Sequence, residues 1–169
     1  MSMFGYPRRF FLSLTIGSAI AMCGAISVLA QKQTGAAKSD PFVGEWSLDL
    51  TKSAFIPGPG PATRNMNISA VDNGLRIHLH DSGGFIDEQS EYVVYFDGKD
   101  HPADPSFDVD NYAVRRVDAN TIDRTGKVRG KAVETATFKL SADGKTLTID
   151  TKGSINGSDY NSTQVFTKL

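Results

Sequence analysis

From Phe42 to the C-terminus, apolar and polar residues alternate with a period of two, and no stretch of useful length carries the period of an amphipathic helix. Met66, Ile68 and Ala70 alternate with Asn65, Asn67 and Ser69. Beyond Asp72-Asn73-Gly74, Leu75, Ile77 and Leu79 alternate with Arg76, His78 and His80. Successive side chains of a strand point to opposite faces, so each run has one apolar and one wet face. The same reading places strands over 42–50, 88–96, 112–117, 121–125, 131–140, 145–151 and 158–168. Between them lie turn signals: Asp72-Asn73-Gly74, Ser82-Gly83-Gly84, Asp97-Gly98-Lys99, Asp118-Ala119-Asn120, Ser141 to Gly144, and Gly153 to Gly157. Pro57-Gly58-Pro59-Gly60-Pro61 cannot join a ladder, and Ser53-Ala54-Phe55 before it is read as one helical turn. His101 to Asp110, with Pro102 and Pro105, is read as irregular. Short, evenly spaced strands joined by tight turns make an antiparallel meander, and such a sheet must hide its edges. The predicted fold is all-β, a single antiparallel up-and-down barrel of 8–10 strands.

The N-terminal region is of another kind. A short basic stretch ends at Arg8-Arg9, no charged residue occurs from Phe10 to Ala30, and Val28-Leu29-Ala30 places small residues where a signal peptidase requires them. The division predicted is a signal peptide over 1–30 (apolar region 10–30) cut at Ala30/Gln31, a flexible leader over 31–40, and the barrel over 41–169. Arg8-Arg9-Phe10-Phe11-Leu12 resembles a twin-arginine export signal, with Pro7 and Ser13 departing from the pattern; a general secretory signal is the alternative. Met22 before Cys23 argues against a lipoprotein, and the Gly, Ser and Thr content argues against an uncleaved span. The expected location is the periplasm or the extracellular space, with no stable membrane span after cleavage. Without residues 1–30 the chain has no cysteine and carries 16 basic against 19 acidic residues, about −3. The basic residues are scattered singly, so nucleic acid is not an expected partner.

Gly44-Glu45-Trp46 on the first strand resembles the Gly-x-Trp signature of lipocalins and the wider calycin barrels, whose tryptophan plugs the closed end. That resemblance implies a lipocalin- or fatty-acid-binding-protein-like barrel. The chain also resembles uncharacterised exported bacterial barrel domains, through Pro41-Phe42-Val43-Gly44-x-Trp46, Lys52-Ser53-Ala54-Phe55, Tyr95 to Lys99, and Asp143 to Thr148. Intracellular fatty-acid-binding barrels hold the ligand carboxylate with an Arg-x-Tyr near the C-terminus; the matching strand here reads Gln164-Val165-Phe166, without arginine.

The expected function is binding of a small apolar or amphipathic molecule in the barrel, with no bound cofactor. The lumen would be lined by Trp46, Met66, Ile68, Leu75, Ile77 and Leu79, together with Tyr112 and Phe138. Arg115 and Arg116 are adjacent and must point to opposite faces; Arg116, on the face of Tyr112 and Val114, is the favoured polar contact, with stacking at the barrel floor as the alternative. Tyr92, Tyr112 and Tyr160 would line a pocket or fill the core. A second class is a cell-envelope interaction module whose barrel is filled by its own side chains. The third is a metal protein or enzyme: His78 and His80 share a strand face and, with His101, would make a three-histidine zinc site. No catalytic residue is assigned. Most carboxylates sit in turns, where they cap backbone, and no nucleophile elbow is present.

Overall fold

The computed structural model describes residues 39–83, 86–105 and 107–169. The expectations for the signal segment, its cleavage site, Arg8-Arg9, Cys23 and most of the leader fall outside these residues.

Eleven strands and, among the described residues, no helix make up the fold. They are β1 (Gly44–Leu48), β2 (Ala54–Ile56), β3 (Thr63–Val71), β4 (Gly74–Gly83), β5 (Ile86–Tyr95), β6 (Asp100–Pro102), β7 (Asn111–Asp118), β8 (Thr121–Val128), β9 (Lys131–Leu140), β10 (Thr146–Ile155) and β11 (Ser158–Lys168). Ten run in one antiparallel path, β5-β4-β3-β1-β11-β10-β9-β8-β7-β6, and β2 adds to β11. β1 lies between β3 and β11, pairing Trp46 with Met66 on one side and Lys168 on the other, so the first and last strands are neighbours.

Three local readings are corrected. The helical turn expected at Ser53-Ala54-Phe55 is instead the start of β2. The Ser53 hydroxyl donates to the Asp49 carbonyl at 2.7 Å and accepts the Val165 N–H at 2.9 Å, which draws the segment onto β11. The segment after Lys99 is not wholly irregular, because β6 pairs His101 with Tyr112. The turn expected over 153–157 is only Asn156-Gly157; Gly153 lies inside β10, opposite Tyr160. At Asp72-Asn73-Gly74 the positive φ falls on Asn73, and Gly74 answers a different need: a Cβ there would stand 2.0 Å from the Val94 carbonyl oxygen.

The two ends of the path meet without a ladder. Across this seam the Tyr92 ring of β5 lies 6.5 Å from the Tyr112 ring of β7, and Phe107 packs edge-on against both, at 5.1 and 5.9 Å. The Gly98 N–H also donates to the Val114 carbonyl at 3.0 Å. The result is a nearly closed barrel, stitched by rings where backbone bonds stop.

One end is solid. Phe42, Trp46, Leu75, Ile77, Leu147 and Phe166 are fully buried there. Trp46 Nε1 donates to the Phe42 carbonyl at 3.0 Å, and the Lys168 ammonium stands 5.0 Å from the centre of the Trp46 ring. A buried indole thus has its N–H satisfied and its face covered. Among the described residues, no helix is long and apolar enough to cross a membrane.

Candidate functional site

Above this floor the inward face changes character. Arg64 on β3, Arg124 on β8, Glu134 on β9, and Tyr160 and Gln164 on β11 all line an interior cavity of about 250 Å³. Its apolar walls come from Met66, Leu79, Phe107, Phe138, Ile149 and Phe166. At its mouth a second concavity, of about 510 Å³, shares Phe107, Tyr112, Glu134 and Tyr160 with the first and adds Pro57 and Val109. The Pro-Gly segment after β2 therefore contributes to the rim.

The arrangement follows from strand register. One cross-strand row reads Tyr112, Gly126, Glu134, Gly153, Tyr160. Large residues alternate with glycines, and each glycine leaves space for a neighbouring ring. A Cβ on Gly153 would come within 2.7 Å of the Tyr160 hydroxyl, and one on Gly126 within 3.3 Å of the Tyr112 ring. Tyr160 therefore lies over Gly153 and donates to Glu134 Oε2 at 2.7 Å. From the other side, Arg124 Nη2 donates to Glu134 Oε1 at 2.8 Å. Both side chains of this ion pair are 10% exposed. The Arg124 guanidinium also lies 4.4 Å from the Tyr112 ring centre and 5.4 Å from that of Phe138. Its Nε is buried with no hydrogen-bond partner among the described residues.

A second polar group stands on another wall. Arg64 donates in fork fashion to Asp81, with Nε to Oδ1 at 2.7 Å, and its Nη1 donates to Gln164 at 2.7 Å. Tyr92 lies within electrostatic reach of both arginines. Burial raises the Tyr92, Tyr112 and Tyr160 hydroxyls above the ordinary tyrosine range, and the charge of Glu134 adds to this at each; at Tyr160 its hydrogen bond does so as well.

Of the residues expected to line the lumen, Met66, Leu79, Tyr112 and Phe138 line the cavity. Trp46, Ile68, Leu75 and Ile77 belong to the packed core and do not line it. Arg116 is not at the cavity either. Its guanidinium stacks 4.2 Å from the Phe96 ring centre and 5.3 Å from Phe42, pairs with Asp40, and bonds the Ala119 carbonyl at 3.3 Å. That is the stacking alternative, on Phe42 and Phe96 where Trp46 was expected; Lys168 covers Trp46. The three histidines are not brought together. His80 Nε2 meets Asp87 at 2.7 Å, His101 Nε2 meets Asp97 at 3.0 Å and its ring lies 4.7 Å from Tyr95, and His78 pairs in register with Glu91. Among the described residues no group of three or more potential ligands is placed to hold a metal ion. Arg124, Glu134 and Arg64 were missed by the sequence reading. Alternation places Arg124 on the face of Ile122, and a charge on an apolar face is the signal that would have found it.

No protein-family model matches the chain, and no curated protein matches it by sequence. Solved structures are similar to it in fold. A fatty acid binding protein of Schistosoma mansoni in complex with arachidonic acid is 12% identical, covering 78% of this chain and 98% of its own, with a TM-score of 0.54. A secretary abundant heat soluble protein of Ramazzottius varieornatus is 11% identical, covering 78% and 97%, with a TM-score of 0.56. The zebrafish ileal bile acid-binding protein complexed with cholic acid is 11% identical, covering 76% and 99%, with a TM-score of 0.51. At such identities the likeness speaks to fold alone. The chain has the calycin barrel fold of the lipocalins and fatty-acid-binding proteins.

Proposed function

We propose that the chain is an exported small-molecule-binding barrel, whose lumen takes an amphipathic ligand with its polar group at Arg124. The observation that carries this is the buried Arg124, whose Nη2 donates to Glu134 while its Nε has no hydrogen-bond partner among the described residues. An apolar cavity holding a few convergent polar groups is the usual form of a ligand site. Two of the solved neighbours above are complexes, one with arachidonic acid and one with cholic acid, which supports the class of function. Export rests on the order of basic, uncharged and small residues through Ala30.

The solid floor favours a second reading, a cell-envelope module that works through its outer surface. The cavity, at about 250 Å³, is below the usual range for ligand sites, roughly 300–1,000 Å³. Native mass spectrometry of the protein purified from its own cells separates the two. A retained small molecule supports the lumen reading, and a bare chain supports the module. The same spectrum gives the N-terminal mass, which tests cleavage at Ala30/Gln31.

A further inference from the structure

The lumen is charge-balanced before anything enters it. Arg64 has Asp81 and Arg124 has Glu134, each pair within hydrogen-bond distance. These two pairs face each other. In the sheet order, β3 and β8 are separated by β1, β11, β10 and β9, so Arg64 and Arg124 stand on opposite walls of a nearly closed barrel. Tyr92 lines the same cavity, its ring 6.5 Å from that of Tyr112.

A ligand with net charge would upset this balance. A carboxylate brought to Arg124 would lie beside Glu134 in a site shielded from water, and an uncompensated buried charge is costly. A neutral acceptor at Arg124 meets no such penalty.

Size and shape narrow the class further. The cavity of about 250 Å³ has room for roughly eight non-hydrogen atoms, at ~30 Å³ each as in liquid water, before the concavity at its mouth is counted. Trp46, Leu75, Ile77 and Leu147 are packed in the core and do not line the cavity. Tyr92, Phe107 and Tyr112 present an edge-to-face aromatic wall, which suits a flat ring. Beside Arg64, to which it is hydrogen-bonded, the amide of Gln164 lines the cavity, as do the hydroxyls of Ser162 and Thr151. We infer that this lumen is built for an uncharged, compact, ring-bearing molecule with a hydrogen-bonding group at each end, a carbonyl-type acceptor meeting Arg124 and a hydroxyl meeting the Gln164 side. The inference rests on the lumen-binding reading above.

Four probes test it by titration calorimetry on the purified protein: 4-hydroxybenzamide, its isosteric anion 4-hydroxybenzoate, benzamide, and hexadecanoate. The hydroxybenzamide should bind about tenfold more tightly than the hydroxybenzoate, and about tenfold more tightly than benzamide, which lacks the second polar end. Glu134→Gln leaves Arg124 uncompensated and should reverse the preference between amide and anion. Should that variant not fold, Asp81→Asn makes the same test at Arg64. Equal or tighter binding of the anion or of hexadecanoate by the unaltered protein overturns the inference and leaves the lumen reading standing, as does an unreversed preference in a folded variant. If none of the four binds, the inference falls. A molecule retained in the native mass spectrum then preserves the lumen reading, and an empty spectrum removes that as well.

Discussion

Tyr160 and Glu134 meet at 2.7 Å although they belong to β11 and β9, with β10 between them. What permits the contact is Gly153, the β10 residue paired with both. Gly153→Ala should therefore cost about 1–3 kcal/mol, because a Cβ would overlap the Tyr160 hydroxyl and the Val133 carbonyl oxygen. Urea denaturation followed by the single tryptophan, Trp46, measures it. The substitution should also release Tyr160 from Glu134 and bring its titration down towards that of an ordinary tyrosine. An unchanged midpoint and titration would mean that the row is not packed as described.

The Arg124–Glu134 pair is buried, so removing one member differs from removing both. Arg124→Met leaves the Glu134 carboxylate without its counter-charge and should destabilise the chain by about 3–5 kcal/mol. Adding Glu134→Gln keeps an acceptor for the Tyr160 hydroxyl without the charge, and the double variant should recover at least half of that loss. Additive losses in the denaturation midpoints would show that the two groups do not interact.

The barrel could be read from the sequence because its longer strands carry a period-two pattern, as in Met66-Asn67-Ile68 of β3 and Leu75-Arg76-Ile77 of β4, whereas the three-residue β2 and β6 are too short to show one. The site was not, for two physical reasons. Gly126 and Gly153 lie inside strands, and glycine in a sequence looks like a turn whether its role is conformational or, as here, to admit a ring. Arg124 shares the face of Ile122, but its partner Glu134 is set by a register that depends on the Arg129-Gly130 hairpin and the bulge beside Gly126, which the sequence does not show. Arg116 misled for the same reason. Its face was legible, but its depth along the barrel was not, and it lies at the floor beside Phe42 and Phe96.

Alkali should weaken the fold through the lumen tyrosines. Burial raises Tyr112 and Tyr160 above their unfolded value of 10.0, with Glu134 adding to the effect. A raised tyrosine stays protonated when folded while the unfolded chain ionises, so its contribution is complete below pH about 10 and declines above that. The urea midpoint should fall between pH 9 and 11, at about the unfolded tyrosine pKa. The fall should be shallower in Tyr112→Phe and in Tyr160→Phe. Parallel curves for variants and unaltered protein would show that these hydroxyls titrate as in the unfolded chain.

Acid acts on a different group, outside the lumen. Hydrogen bonds from Lys52 and Thr51 hold the Asp49 carboxyl down to about 2, from 3.8 in the unfolded chain. A lowered carboxylate stabilises the fold fully above its unfolded pKa, and that contribution is lost as pH falls through its folded value. Asp49 also shapes the strand that follows: its carbonyl accepts from the Ser53 hydroxyl, and that hydroxyl holds Val165 of β11. Asp49→Asn keeps that backbone carbonyl and an oxygen for Thr51, and removes the charge and the oxygen that pairs with Lys52. Its stability deficit, read from Trp46 fluorescence in urea, should be present at pH 6 and should shrink towards zero as the pH approaches 2, below the unfolded carboxylate pKa. A deficit that is the same at both values would assign the effect to lost hydrogen-bond geometry rather than to charge.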